Sequence, residues 1–259
     1  MTDGPDSDRK APRAGGPGRG WAFAVVLVLV VTAVVVLAPR VSQYLREEGV
    51  PVLGESAECV VRTPDGEVEL TRDQARRATT AVAVGAQDGP TIEAPDTSDV
   101  DDTVLELLAT GPADDAGPSL SCRGSAADDL PEEEITDTGL TPRAQEVLDA
   151  MTDVFGDQVL GGFAPGGVQR AGESTHNDGR AIDVFFQPVS EENRRRGWIL
   201  AHWLVAHEDT LDIQYVIFDD RIWSAHSRRG RWQPYDAPEP ANEILRHLDH
   251  VHVDVLRGG

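Results

Sequence analysis

"IQYVIFDDRIWS", residues 213–224, decides the fold. Two β-prone runs flank the turn pair Asp219–Asp220, so the chain folds straight back on itself. A βαβ array would place a helix between such strands. The flanks agree with local pairing. "QVLGGF" reads as a short strand, and "AIDVFF", 181–186, alternates as a second. "SEENRRRGWILAHWLVAHEDTLD" reads as a long helix starting near Ser190, "RRGRW" as a turn, and "HVHVDV", 250–255, as a final strand. Before them, "TPRAQEVLDAMTDVFG" has Thr141 as N-cap and Pro142 at the first helical position. Val147, Leu148, Met151, Val154 and Phe155 follow at helical spacing. The fold class is therefore α+β, with an antiparallel sheet and helices.

Working towards the N-terminus, residues 126–139 read as an acidic linker and 57–125 as a small module. In that module "ECVVRTPDGEVELT", 58–71, predicts a hairpin around "PDG", and "TRDQARRATTAVAVG" a helix capped by Thr71 and stopped by Gly85. From Asp88 to Asp137 acidic residues dominate, with "TVLELLAT", 103–110, a helix among them. Residues 39–56 look like a stalk. The uncharged run "WAFAVVLVLVVTAVVVLA", 21–38, is about long enough to cross a bilayer core. Arg9, Lys10, Arg13 and Arg19 precede it, within a tail (1–20) read as disordered. The positive-inside rule then keeps the tail cytoplasmic and puts the C-terminal domain (140–259) outside a single-pass membrane anchor. The alternative, a cleaved signal peptide, fits less well, because Pro39 and Arg40 spoil the cleavage site. Cys59 and Cys122 both follow this run. A pair in an oxidising space predicts a disulfide; two unpaired thiols are the alternative. The net charge of −22 argues against a nucleic-acid partner.

Two stretches carry the chemistry. In "HVHVDV", Val251, Val253 and Val255 share one face; His250, His252 and Asp254 share the other, with His247 three residues earlier. In "STHNDGRAID", 174–183, His176 sits among turn formers, and Asp183 enters an apolar strand. A buried carboxylate there is costly unless paired or bound to metal. Small Gly179 and Ala181 let the loop fold His176 back towards Asp183. His176, Asp183 and His252 together make two imidazoles and a carboxylate with one position open, a catalytic type of zinc arrangement. Metal in such a site acidifies water to a pKa of about 7. His202 and His207 lie near Trp198 and Trp203 and read as interfacial or capping residues, and His226 reads as solvated. "NRRRG", 193–197, reads as a solvated helix start.

The pattern SxHxxGxAxD at Ser174, His176, Gly179, Ala181 and Asp183, followed by HxH at His250 and His252, resembles the zinc peptidases that cut bacterial cell-wall peptides. These are the D-Ala-D-Ala carboxypeptidase and murein endopeptidase group, which shares the hedgehog-like fold. The resemblance covers residues 140–256. Over the same stretch the chain is most similar to a family of C-terminal domains on actinobacterial envelope proteins. The resemblance implies a Zn2+ cofactor on His176, Asp183 and His252 and peptidoglycan peptides as substrate. It also implies Arg170 at the oxyanion or a substrate carboxylate, and a proton relay by His250 or Asp249 beside His247. The carboxypeptidase branch has glutamate where Asp249 stands, so the base is open between Asp249 and His250. A domain that keeps zinc without hydrolysis, as a wall-binding or regulatory module, is the rival expectation.

Overall fold

A computed structural model describes residues 58–87, 92–113, 117–227 and 229–259. The expected tail (1–20), membrane run (21–38) and stalk (39–56) lie outside the described residues. Strands β1 (Cys59–Thr63), β2 (Gly66–Leu70) and β3 (Leu120–Cys122) form a three-stranded antiparallel sheet in the order β2-β1-β3. Strands β4 (Leu160–Gly161), β5 (Ala181–Phe185), β6 (Ile213–Phe218), β7 (Arg221–Ser224), β8 (Gln233–Pro234) and β9 (His250–Val255) form a six-stranded antiparallel sheet in the order β4-β5-β9-β6-β7-β8. The helices are α1 (Arg72–Gly85), α2 (Asp102–Thr110), α3 (Pro142–Phe155) and α4 (Glu191–Ala206).

Local chemistry starts each helix where the sequence places its cap. The Thr71 and Gln74 side chains close a capping box on α1. The Asp101 carboxylate accepts from the Thr103 N–H at α2. Thr141 caps α3 ahead of Pro142, and the Ser190 hydroxyl accepts from the Asn193 N–H at α4. Helix α4 is buried on every side from Gly197 to Ala206. It packs against β6 and β9 on one side and β3 and α1 on others. That position explains its lack of a polar face after Arg196. Gly197 permits the approach to β6: a Cβ there would lie 2.2 Å from Phe218 Cζ.

The α+β class with antiparallel sheets holds, but the expected assembly around it is corrected: the small disulfide-closed module is not separate. Among the described residues no helix is long and apolar enough to cross a membrane. The disulfide Cys59–Cys122 is present, yet the segment it closes is not a separate module. The described residues from 58 to 259 form one compact unit, and Val61, Ala78, Val104 and Leu120 belong to the same buried cluster as Leu200, Val216 and Val253. Too few apolar residues stand in 57–125 to close a core alone, so the small sheet borrows α4 and the aromatic residues of the larger one. Trp223 Nε1–H donates to the Cys122 carbonyl (3.0 Å) and Trp232 Nε1–H to the Leu120 carbonyl (2.9 Å). Buried Arg72 meets Glu208 at 3.0 Å, and Glu208 also accepts the Ser125 N–H (2.7 Å). The acidic stretch 126–139 is bonded to the domain: buried Arg143 donates to the Pro131 carbonyl, and the Gly259 N–H to that of Leu130.

His202 joins the two sheets from inside α4. It is fully buried and its Nε2 accepts the Leu120 N–H at 3.4 Å. Burial pushes its pKa down from 6.5 to about 3. The unfolded ring therefore binds a proton before the folded one. Its contribution to stability is complete above pH 6.5 and is lost as pH falls towards 3, by about 1.4 kcal/mol per pH unit. His202→Gln keeps an acceptor but does not titrate. Urea unfolding at pH 6 and pH 4 is expected to show a shallower loss in this variant by about one proton's worth. An unchanged slope would mean that His202 is not neutral in the fold.

Candidate metal centre

Strand β9 runs antiparallel to β5 with Asp183 directly opposite His252, Phe185 opposite His250 and Ala181 opposite Asp254. Directly opposed residues on paired strands project from the same face. The pairing thus puts Asp183 and His252 side by side, although 69 residues separate them. Every residue of β9 is buried, including its polar face. That face is not solvated; it closes over Asp183.

His176 arrives from the loop before β5. The loop is held by backbone bonds from Asn177 to Ser174 and from Arg180 to Thr175. His176 Nδ1 lies 2.9 Å from the Gly162 carbonyl, which can only accept, so this nitrogen carries the proton. Nε2 is left facing Asp183 Oδ1 at 3.3 Å. His252 Nδ1 faces the same oxygen at 3.0 Å, and its Nε2 stands 3.7 Å from Asp254 Oδ2. Asp254 is itself fixed by the Tyr215 N–H at 2.9 Å. The donor atoms of His176, Asp183 and His252 all lie within 4.8 Å of one another.

This set fits a metal ion. Zinc bonds of about 2.0–2.1 Å in a tetrahedron give ligand–ligand edges of about 3.3 Å, close to the two edges that meet at Asp183. Each imidazole has its far nitrogen turned to a carbonyl or a carboxylate, the usual way a ligating histidine is oriented. Gly162 keeps the space open. Its φ is +85°, and a Cβ there would lie 2.4 Å from His176 Cε1 and 2.9 Å from Asp183 Oδ2. With no cation between them, protons take the same role. Burial raises the Asp183 carboxyl, but bonds from His176 and His252 outweigh it and hold the group well below the carboxylate range. Burial lowers His252, but Asp183 and Asp254 outweigh it and raise the ring to about 9. A metal on His252 would have to displace this proton.

The remaining expected residues surround this core. The Arg170 guanidinium donates to Asp183 Oδ2 at 2.9 Å, and its side chain is 46% exposed. It is therefore tied to the carboxylate with part of its fork towards solvent. His250 Nδ1 lies 2.8 Å from Asp249 Oδ1, and Gln187 donates to Asp249 Oδ2 at 2.7 Å. Burial raises the Asp249 carboxyl, yet the His250 and Gln187 bonds prevail and keep it ionised. His250 Nε2 is left 3.7 Å from Asp183 Oδ1. His247, at φ 54°, packs its ring 4.7 Å from that of His250. Burial and the neighbouring His252 and His250 push it down to about 3.

Sequence reasoning missed four supporting residues. Gly162 and Gln187 carry no local signal of this role. Asp254 is visible on the polar face of β9, but its partner depends on the fold. Asn177 looks like an ordinary turn former, yet its amide clamps the chain at Arg170, accepting the Arg170 N–H (2.6 Å) and donating to the Arg170 carbonyl (3.0 Å). His202 is buried inside α4, His207 caps the C-terminus of that helix as expected and stacks on Trp203, and His226 is exposed.

Residues 136–243 match the family model described as VldE, C-terminal domain. The match runs from α3 to β8, so it includes Arg170, His176 and Asp183 and stops short of β9. The expected likeness of this stretch to a family of C-terminal domains holds in that form. No curated protein and no solved structure matches the chain.

Proposed function

We propose that the chain is a zinc-dependent peptidase acting outside the cytoplasm on peptidoglycan peptides. The observation that carries this reading is the convergence of His176, Asp183 and His252, with both histidines oriented from behind. These three would hold the ion, which when bound supplies a Lewis acid for a peptide carbonyl and acidifies water. His250 is the base of choice. Asp249 holds the proton on Nδ1, so Nε2 is free to take a proton on the side of the centre. Asp249 is then a positioning residue, and its shorter side chain relative to glutamate matters little. The solvent side of the Arg170 fork offers donors to a carboxylate or a developing oxyanion. The disulfide supports an oxidising compartment outside the cytoplasm.

A second reading keeps the zinc and drops hydrolysis, giving a wall-binding or regulatory domain. One observation favours it: His176, Asp183 and His252 are 3%, 3% and 7% exposed, as closed as a structural site. One assay separates the two. The zinc-loaded full chain is incubated with purified stem peptides, and the products are read by mass spectrometry. Cleavage that chelation removes and zinc restores is expected, with kcat about 10²–10³-fold lower in His250→Ala at unchanged zinc content. Full zinc without cleavage leaves the second reading; absence of zinc overturns both.

A further inference from the structure

A cavity of about 280 Å³ opens at the far edge of the six-stranded sheet from β5, where β7 and β8 meet β1 and β3. Arg62, Arg221 and Arg231 line it, with Ser119, Ser121 and Trp232. Its chemistry runs against that of the chain, whose net charge is −22. Glu67 is the acidic residue in the lining, and it stands 3.5 Å from Arg231. Three guanidinium groups against one carboxylate leave the lining near +2.

One carboxylate serves the cluster: Glu67 stands opposite Arg62 in the β1–β2 register and 3.5 Å from Arg231, and Arg221 has no acidic neighbour in the lining. The side chains of Arg62 and Arg221 have no hydrogen-bond or ion-pair partner among the described residues, whereas Arg72, Arg143, Arg180 and Arg246 each meet a carboxylate or an amide oxygen. Ser119 is 93% buried and lines the same cavity. Three like charges sharing one carboxylate repel one another, so a fold that gathers them gains from an anion placed between them. The backbone behind them is fixed: Arg62 N–H donates to the Ser119 carbonyl at 2.8 Å, and Trp232 Nε1–H anchors its ring to β3.

We propose that this cavity binds the phosphate group of a small phosphate monoester. The guanidinium forks match phosphate oxygens, and the monoester charge of about −1.5 to −2 balances the lining where a single carboxylate would not. Ser119 and Ser121 add hydroxyl donors, and Trp232 gives an apolar wall for the rest of the ligand. The volume suits a ligand of sugar size, near the lower end for small-molecule sites. The site does not use the histidine centre and stands whether or not that centre cleaves peptides.

Titration calorimetry on the full chain, at physiological salt, with inorganic phosphate, glucose 1-phosphate and glucuronate as probes, tests it. One-to-one binding of both phosphates is expected, tighter for glucose 1-phosphate, with glucuronate at least about tenfold weaker. Arg62→Gln and Arg221→Gln are each expected to weaken glucose 1-phosphate by about tenfold or more, and the double variant to abolish it. The ligand-free thermal midpoint of the double variant is expected to stay the same or rise, since repulsion is relieved. Three results would overturn the proposal: equal affinity in wild type and double variant, glucuronate binding as tightly as glucose 1-phosphate, or no saturable binding of either phosphate at millimolar concentration.

Discussion

Asp183→Asn is expected to take the chain from one bound zinc per molecule to nearly none, weakening zinc by roughly 10²–10⁴-fold. The size follows from what the carboxylate does. It is the negative member of the ligand set, it is buried, and it faces His176, His252 and Arg170 at 3.3, 3.0 and 2.9 Å. Removing one partner of a buried charged pair costs about 3–5 kcal/mol, and each 1.4 kcal/mol is a factor of ten. Asparagine keeps the shape, so a folded variant is expected and the loss is chemical. Metal analysis after dialysis and competition with a chromophoric chelator measure it. Zinc retained at wild-type affinity would mean that Asp183 serves the ion network alone and that metal, if any, binds elsewhere.

Cys59→Ala with Cys122→Ala is expected to cost about 4 kcal/mol and lower the thermal midpoint by roughly 10 °C. The cysteines are 63 residues apart and sit opposite each other on β1 and β3. Opening that loop releases entropy to the unfolded chain. The shared core makes a further claim. Because Leu120 and Cys122 bond to Trp232 and Trp223, the variant is expected to melt in one transition, carrying the histidine centre with it. Calorimetry alongside zinc release checks this. Two separated transitions, with the centre melting at the wild-type temperature, would show that the small sheet is energetically independent after all.

What the sequence made legible is what a few neighbouring residues encode. Thr71, Thr141 and Ser190 cap helices because a hydroxyl and the N–H groups two or three residues on are all that a cap needs. "IQYVIFDDRIWS" pairs β6 with β7 across two residues. The residue types of His176, Asp183 and His252 already suggest one ligand set, and the structure brings them together. What stayed hidden depends on partners far along the chain. Nothing near residue 183 says that residue 252 lies opposite it. Nothing near Asp249 says that Gln187 holds its other oxygen. The independence assigned to 57–125 failed for a related reason: a strand's alternation shows that it needs a core, not whose core it uses.

Strand β9 follows all the other described strands in the chain yet lies at the centre of the large sheet, between β5 and β6. Until it threads in, β4–β5 and β6–β8 are two unconnected ribbons, and the ligand set is reduced to His176 and Asp183. Sheet closure and completion of the donor set are therefore one event. A partly folded chain lacks His252 at the set and His250 beside it, so any metal affinity of these residues would report on correct folding. An ion held by His176, Asp183 and His252 would tie β9 to β5 and to the loop before it.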